Sequence, residues 1–562
     1  MPLHGGGVVR RRRGLVVTVL GAVILVTAAV TGCGAAVDTG AVTTEGASLN
    51  PQPRENIRDG GTLTTATPEV SAQWNTFHAD ASAYTLGLWR WYNPQLAYFS
   101  PEGEYSPNPD YVTDVRKEIV EGDTVVTYRL SPRAYFNDGT PIDHRAFVTT
   151  WQTNRGVDER FIASSTDGYR QIESVTRGVD DREVVVRFDG TYAWPDGLFN
   201  SVLHPRVADP EVYNEGYIRT PHPEWGAGPY TIASYDADQG VVVFERNPKW
   251  WGDRGKLDRR VFRQMESQAA LNAFQNGELD ATGVAAKDAR ARVLTMNGID
   301  IRTAASPQQA LLVLNLDAPI LSDRSVREAV LSAIDRDTLA RIRFTGLNYA
   351  EELPGSLSLY PFQPGYSDNL AAVLSYDPAK AERLLERAGW VTGDDGIRRK
   401  NGRRLSLEMP NTGDDTTGLN LSRALQAILK KVGVDLVVRQ RPSSDFSQIV
   451  INKEFDVFMM GFSSSDPYGM AYFCQVWCSG SQLNPAGAGY PELDAKIAEM
   501  ARIGDPDEQI RVGNELEREA FAQFSNLPLF NGPSMVAVKE GLANYGAGQF
   551  YVGPIEDIGW EK

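Results

Sequence analysis

Residues 323–336 read DRSVREAVLSAIDR and carry the pattern of a helix that is buried on one side. Ser325, followed three residues later by Glu328, predicts a capping box, in which the two side chains bond to backbone amides at the helix start. The apolar residues that follow recur at three- and four-residue spacings and share one helical face: Val326, Ala329, Val330, Ala333 and Ile334. We therefore expect a helix here that packs this face against a core.

A helix and a strand are predicted further along the chain. Asp377-Pro378 supplies an N-cap and a proline at the first helical position, and Gly389 ends that helix. Helical spacing returns from Leu421 to Val432, and the strand-like run Val434 to Val438 follows directly. This alternation between residues 310 and 470 predicts an α/β lobe with a largely parallel sheet.

Short runs of β-branched and aromatic residues separated by turns dominate the region before residue 250. Such runs are typical of strands. The clearest of them are Thr62 to Ala66, Val125 to Leu130, Glu183 to Phe188 and Val241 to Glu245.

The composition limits the class of protein. The chain has 562 residues, of which 42% are hydrophobic and 23% charged, so it is globular and long enough for two to four domains. The net charge is −16, and residues 1–32 hold four Arg and no acidic residue, so the remainder is more acidic still. An acidic body argues against nucleic acid as a partner and against electrostatic binding to anionic lipid headgroups.

The sequence carries no catalytic signature. It has no GxSxG elbow, no Walker A loop and no Rossmann glycine string. The five His are scattered and form no HExxH motif, which argues against a metal site. We therefore expect no enzyme activity, no cofactor and no metal, and a secreted hydrolase is the weak alternative.

The N-terminus has the features of an export signal. Arg10 to Arg13 precede an apolar run from Leu15 to Val30, which is shorter than a membrane span and ends just before Cys33. This segment resembles the lipobox of bacterial lipoproteins, with cleavage before Cys33 and a lipid such as palmitate on its thiol. We expect a signal peptide over 1–32 and a flexible tether over 33–58, and a plain secretion signal with an incidental Cys33 is the alternative. The mature chain would then be held by its lipid at the outer face of the cytoplasmic membrane.

Two further cysteines, Cys474 and Cys478, lie four residues apart. Outside the cytoplasm an isolated pair most simply forms a disulfide. Free thiols and a metal site are the alternatives, and the metal site would need partners that the scattered His do not supply.

Weak turn and cap motifs follow one another in a fixed order. They are Phe136-Asn137-Asp138-Gly139-Thr140-Pro141-Ile142, Gly226-Ala227-Gly228-Pro229-Tyr230, Asn247-Pro248-Lys249-Trp250-Trp251-Gly252, Asn276-Gly277-Glu278-Leu279-Asp280, residues 323–336, Tyr376-Asp377-Pro378 and Gly461-Phe462. In this order they resemble extracytoplasmic solute-binding protein family 5, the peptide- and nickel-binding receptors of ABC importers, over about residues 60 to 555.

This resemblance implies an α/β architecture, the two-lobed periplasmic-binding-protein type II fold of cluster C, with an extra subdomain in the N-terminal lobe. Lobe I would comprise residues 59–310 and 525–562, with the extra subdomain at about 95–225, and lobe II residues 311–524. The ligand would lie between lobes that close by hinge bending.

The resemblance also implies a function. The chain would be a monomeric, lipid-anchored substrate-binding protein that delivers an oligopeptide or similar organic solute to an ABC permease and its ATPase. The alternative is a non-transport lipoprotein on the same fold that binds an envelope glycolipid or regulates cell-envelope biosynthesis.

Ligand residues are predicted at two places. In peptide receptors of this family an Asp after a Gly-aromatic pair holds the peptide ammonium, and here the corresponding loop contains Phe462, Ser464, Ser465 and Asp466. Serines replace the usual Asp, so Asp466 either contacts ligand or only forms the turn before Pro467.

The second predicted place is aromatic. Trp89, Trp91 and Tyr92 offer faces for a peptide, sugar or acyl chain, and core packing is the alternative. Trp225 and Tyr360 are further candidates from their position in the family.

Overall fold

The computed structural model describes Val42, Thr44 and residues 46–562. The predicted signal peptide and the predicted lipidation site Cys33 lie outside the described residues.

From residue 46 to residue 307 the described chain is rich in strands. The helices are α1 Ala83–Tyr92, α2 His144–Asn154, α3 Ser267–Gln275 and α4 Lys287–Val293. The strands are β1 Thr62–Thr67, β2 Ala97–Phe99, β3 Tyr105–Pro107, β4 Val112–Val120, β5 Asp123–Leu130, β6 Ile172–Arg177, β7 Glu183–Phe188, β8 Tyr230–Asp236, β9 Val241–Arg246, β10 Arg259–Gln264, β11 Ala281–Gly283 and β12 Ile299–Ala305.

The remainder alternates helices and strands before it ends in strands. The helices are α5 Arg324–Ser332, α6 Arg336–Phe344, α7 Pro378–Arg387, α8 Thr416–Lys431, α9 Phe446–Ile451, α10 Phe473–Trp477, α11 Pro491–Met500 and α12 Pro506–Phe521. The strands are β13 Gln308–Leu314, β14 Val391–Thr392, β15 Arg398–Lys400, β16 Arg403–Arg404, β17 Ser406–Thr412, β18 Asp435–Arg441, β19 Val457–Ser463, β20 Asn526–Phe530, β21 Pro533–Lys539, β22 Leu542–Ala543 and β23 Gly559–Trp560.

Lobe I is built on a mixed sheet in the order β12-β21-β11-β1-β10-β9-β8. Its central strand β1 runs parallel to both neighbours, β10 and β11, and turns alternate residues into the core. The strand β21 comes from the C-terminal end of the chain, so lobe I closes only when the chain returns to it.

The extra subdomain has its own antiparallel sheet, β4-β5-β7-β6, with α2 packed against it. Its apolar residues form a separate core that extends from Leu96 to Ala227. The predicted strand at Glu183 to Phe188 is confirmed as β7.

Lobe II differs from the prediction of a largely parallel sheet. Only β17 and β18 pair in parallel, whereas β13 pairs antiparallel with both β19 and β20. The reason is topological, since β13 carries the chain into the lobe and β20 carries it out again.

Two crossovers join the lobes side by side. The chain leaves the first sheet after Ala305 and enters the second at Gln308, and it returns between Phe530 and Pro533. Ala305 pairs with Pro533 on one side of this gap and Ala310 pairs with Phe530 on the other. Strand β20 therefore belongs to lobe II, although residues from 525 onward were predicted in lobe I.

The predicted capping box at the start of α5 is wrong. The N-cap is Asp323, whose Oδ1 accepts the Ser325 backbone N–H at 2.9 Å. Glu328 instead forms an ion pair with Lys380 of α7, at 2.8 Å. The face predicted to be buried is buried, because α5 packs against α7.

The later part of the segment predicted as a flexible tether, residues 48–58, packs against the C-terminal part of the chain. Ser48 pairs with Ala547 through two backbone hydrogen bonds, and Ile57 pairs with Glu561. The Ile57 side chain is fully buried. Residues 48–58 are therefore part of the body of lobe I, because they cover apolar surface next to the C-terminal strands.

Among the described residues, no helix combines the length and the apolar character that a membrane crossing requires.

Removal of the buried Ile57 side chain tests this docking. Ile57→Ala should lower the free energy of unfolding by about 2–4 kcal/mol, because it leaves a cavity in a closed core. The measurement is urea denaturation followed by Trp fluorescence, with Ile119→Ala as matched control, since Ile119 is 62% exposed. Equal effects of the two substitutions would contradict the docking of residues 48–58.

Candidate functional site

The loop after β19 places Asp466 at the contact between the lobes. Its side chain is 2% exposed. Oδ1 accepts the Tyr468 backbone N–H at 2.9 Å, and Oδ2 accepts the hydroxyls of Ser465 at 3.0 Å and Tyr472 at 2.6 Å. Asp466 therefore forms the turn, which is one of the two predicted alternatives. These three hydrogen bonds occupy three of the roughly four lone-pair positions on its carboxylate oxygens.

Arg90 of lobe I is the cation that faces Asp466. Burial raises the pKa of the Asp466 carboxyl, and its own hydrogen bonds and the Arg90 charge oppose that rise. Burial in turn lowers the pKa of Arg90. The Arg90 and Asp466 charges act on each other through space and form no direct ion pair in the described part of the chain.

Glu69 is a second carboxylate between the lobes, and the sequence analysis missed it. It follows β1, is 5% exposed, and accepts a hydrogen bond from the Ser447 hydroxyl of α9 at 2.8 Å. Burial raises the pKa of Glu69 to about 7, and the nearby Asp445 charge adds to the rise. The carboxyl end of a strand in a parallel pair is a common ligand position, and that signal could have identified Glu69.

A third carboxylate joins the extra subdomain to lobe II. Asp167 accepts the Gln475 backbone N–H at 2.8 Å, and burial raises the pKa of Asp167 to about 7. The Trp194 indole also donates to Gln509 of α12. Lobe II is thus contacted by the main body of lobe I through Glu69 and by the subdomain through Asp167.

Tyr360 and Ser464 lie together next to the first crossover. The Tyr360 hydroxyl donates to the Pro307 carbonyl oxygen, and the hydroxyls of Tyr360 and Ser464 are 3.1 Å apart. Burial raises the pKa of Tyr360 to about 12. The structure therefore brings these two predicted residues together beside the first crossover.

Other predicted aromatic residues do not reach this contact. Trp89, Trp91 and Tyr92 are 2%, 5% and 0% exposed and lie in the core of lobe I. Core packing was the alternative to ligand binding for these three residues. Phe462 packs against a small core beside β13 and β19. Trp225 stacks on the His222 ring, and the two ring centroids are 3.7 Å apart.

A disulfide joins Cys474 of α10 to Cys478, the residue after this helix, with their Cα atoms 4.7 Å apart. This helix follows the Asp466 loop directly, and the Cys478 backbone N–H donates to the Cys474 carbonyl at 2.9 Å. The disulfide therefore fixes a short segment beside Asp466. No group of three or more His, Cys, Asp and Glu side chains suited to a metal ion occurs among the described residues.

The fold, the motif order and the interlobe loop are those of a known family. A family model described as "Bacterial extracellular solute-binding proteins, family 5 Middle" matches residues 106–484. The chain belongs to this family. Family 5 was the prediction from the motif order, and it is confirmed.

Two curated relatives differ in the solute that their names state. The oligopeptide-binding protein OppA of Mycobacterium tuberculosis is 32% identical over 508 residues, which cover 89% of this chain and 84% of OppA. The probable monoacyl phosphatidylinositol tetramannoside-binding protein LpqW of the same organism is 27% identical over 355 residues, which cover 62% of this chain and 50% of LpqW.

A solved family 5 structure confirms the two-lobed α/β fold. The oligopeptide-binding protein AppA from Bacillus subtilis, in complex with a nonapeptide, superposes with a TM-score of 0.76 over 90% of this chain and 100% of AppA. At 18% sequence identity this likeness concerns the fold alone.

Glu69 predicts that the folded protein is less stable at alkaline pH than at acidic pH. Its folded pKa of about 7 lies above the ordinary 4.5, so this group favours the folded state below pH 4.5 and opposes it increasingly as pH rises to 7. At pH 8 the penalty is on the order of 3 kcal/mol. Glu69→Gln keeps a hydrogen-bond acceptor for Ser447 but has no titrating carboxyl at this position. The thermal midpoint of this variant should therefore decrease less than that of wild type between pH 5 and pH 8.

Glu118→Gln is the control for that measurement, because Glu118 is exposed. It should keep the wild-type dependence on pH. If Glu69→Gln has the same dependence as wild type, Glu69 is not buried between the lobes in solution.

Proposed function

We propose that this family 5 protein binds an oligopeptide between its lobes and delivers it to an ABC importer. The similarity to OppA carries the proposal, because it extends over 89% of this chain and 84% of OppA. The family contains binding proteins, and this role requires no covalent chemistry.

The lobes would move as units about the crossovers. We propose lobe I as residues 46–305 with 533–562, its subdomain at about 95–225, and lobe II as residues 308–530. This division follows the sheet membership of the strands. Closure makes ligand contacts on both sides of the cleft, so ligand shifts the population toward the closed form.

The charges at the contact suit a peptide. Glu69 and Asp466 are carboxylates, and Arg90 is the cation that faces Asp466. A peptide brings an ammonium, a carboxylate and a row of amide groups, and each of them can replace water at such groups when the lobes close.

A glycolipid ligand or a regulatory role is the second candidate, because LpqW is also a relative. Native mass spectrometry of protein purified from its own host separates the two. A co-purified peptide mass supports the proposal, whereas a lipid or glycan mass supports the second candidate.

Asp466→Asn tests whether this carboxylate holds the peptide ammonium. For a free peptide the loss of one charged hydrogen bond should weaken affinity about 10- to 100-fold. For the same peptide with an acetylated N-terminus, wild type and Asp466→Asn should bind equally, as measured by calorimetry. An equal loss for both peptides would assign Asp466 to the turn alone.

Lipid attachment at Cys33 is also proposed. Labelled palmitate fed to the host should be incorporated into the wild-type chain, which should sediment with membranes. Cys33→Ala should carry no label and be released, while Cys478→Ala should keep the label. Incorporation of label into Cys33→Ala would contradict the proposal.

A further inference from the structure

A cluster of basic side chains lies at one end of lobe II, on a chain whose net charge is −16. Its centre is the hairpin of β15 and β16, where Arg398-Arg399-Lys400 and Arg403-Arg404 flank the turn Asn401-Gly402. Both turn residues have positive φ, 52° and 78°, which is the conformation of a tight two-residue hairpin turn. The turn therefore holds the two basic strands side by side.

The hairpin pairs like charges directly across its strands. Arg399 lies opposite Arg404, and Lys400 lies opposite Arg403. Like charges at directly opposed positions of an antiparallel pair are destabilising. Asp395 forms ion pairs with both arginines of the first pair and so offsets their repulsion. Neither Lys400 nor Arg403 forms an ion pair in the described part of the chain, so the second pair keeps its cost.

Two helix ends bring further cations to the hairpin. The buried Arg398 side chain connects them, because its guanidinium donates to carbonyl oxygens just beyond the ends of α7 and α8, at 3.0 and 2.9 Å. The last turn of α7 carries Arg387, and the last turn of α8 carries Lys430 and Lys431. These three side chains are exposed, and they form no ion pair with any described residue. The basic surface of lobe II is defined as Arg387, Lys400, Arg403, Lys430 and Lys431.

Cations outnumber carboxylates at this end of the lobe. The last turns of α7 and α8 and residues 391–404 contain eight Lys and Arg. Five carboxylates lie in this region or act on its cations, and they are Glu386, Asp394, Asp395, Asp435 and Asp456. At physiological salt, charges further away than about 8 Å are largely screened. The local excess of cations therefore decides what this surface attracts, although the chain as a whole is acidic.

The basic surface lies at the end of lobe II that is remote from lobe I. Strands β17 and β18 begin beside it and run in parallel toward the contact between the lobes. Beyond their carboxyl ends, the Ser443 backbone N–H donates to Glu266 of lobe I at 2.7 Å. Seven residues of strand span about 20 Å, so a partner at the basic surface would not have to displace a solute between the lobes.

One exposed apolar side chain accompanies the cations. Val391 of β14 lies directly opposite Arg399 and is 69% exposed. Cations beside an exposed apolar group suit the boundary between the headgroups and the acyl chains of a membrane. The lipid proposed on Cys33 would keep such a membrane within reach. These observations favour lipid phosphates over an acidic protein as the partner.

We propose that the basic surface of lobe II binds the anionic phospholipid headgroups of the membrane. Phosphates beside Lys400 and Arg403 would offset the repulsion within this pair, as Asp395 does for the other pair. The inference does not depend on which solute lies between the lobes.

Vesicle sedimentation tests the inference on the mature chain without its lipid, residues 34–562. At about 0.15 M salt, wild type should bind vesicles of phosphatidylglycerol and phosphatidylcholine in equal parts, and it should not bind vesicles of phosphatidylcholine alone. Binding should be lost at about 1 M salt, where the screening length falls to about 3 Å.

The pair of like charges without an ion-pair partner is the decisive place for substitution. Lys400→Gln combined with Arg403→Gln should weaken binding to the anionic vesicles about 25-fold, because each basic residue near an anionic surface contributes about fivefold. The thermal midpoint of this double variant should equal or exceed that of wild type, because the repulsion is removed. Lost binding would then not result from unfolding.

Arg259→Gln combined with Lys562→Gln is the matched control, because both residues are exposed and belong to lobe I. This variant should bind the anionic vesicles as wild type does. Both double variants should keep the wild-type affinity for peptide. If wild type binds no peptide, the proposed function is wrong, and the vesicle measurement still decides the present inference.

The inference is overturned if wild type does not bind the anionic vesicles, or if Lys400→Gln with Arg403→Gln binds them as tightly as wild type. Polyglutamate provides the comparison with an acidic protein. If wild type binds polyglutamate but not the vesicles, and the double variant loses that binding, the surface belongs to an acidic protein partner and the inference is also overturned.

Discussion

The two antiparallel crossovers constrain everything else in the molecule. The same two chain segments pair in both lobes. Their backbone pairing stops at Ala305–Pro533 in lobe I and resumes at Ala310–Phe530 in lobe II, so a break of a few residues separates the two sheets. Glu351 stabilises this break, since its carboxylate accepts the backbone N–H groups of Asn531 and Gly532 at 2.7 and 2.8 Å. One apolar core contains residues from both sides of this break, among them Phe274 and Leu312, and a second core contains residues of lobe I.

Charge burial sets the energetics of the contact between those lobes. Glu69 and Asp466 are buried at this contact. They accept hydrogen bonds from hydroxyls and amides, but no cation lies close to either carboxylate in the described structure. Desolvation of such groups costs more than a neutral hydrogen bond returns. These two buried carboxylates therefore lower the stability of the contact between the lobes.

Local chemistry was predictable from the sequence, and long-range contacts were not. The Asp377 cap, with its carboxylate on the Lys380 N–H at 2.7 Å, and the strand at Glu183 to Phe188 follow from residues adjacent in the chain. The cap at α5 failed because Asp323, two residues before Ser325, offers a carboxylate in better position. The motif order predicted the fold, but Glu69 and the docking of Ile57 depend on partners 378 and about 500 residues away. The aromatic residues of α1 are packed in the core. The sequence could not predict this, because the same apolar pattern is compatible with core packing and with ligand binding.

The course of the N-terminal segment has a mechanical consequence. The Ala305 N–H donates to the Thr44 carbonyl at 2.9 Å, and the Val42 N–H donates to Asn348 at 3.3 Å, so the chain reaches the body beside the first crossover. Tension transmitted along the polypeptide at this point acts close to the crossovers about which the lobes are proposed to turn. Torque is the product of force and lever arm, and here the lever arm is short. A load on the leading end of the chain would therefore displace the whole molecule and have little leverage on the cleft.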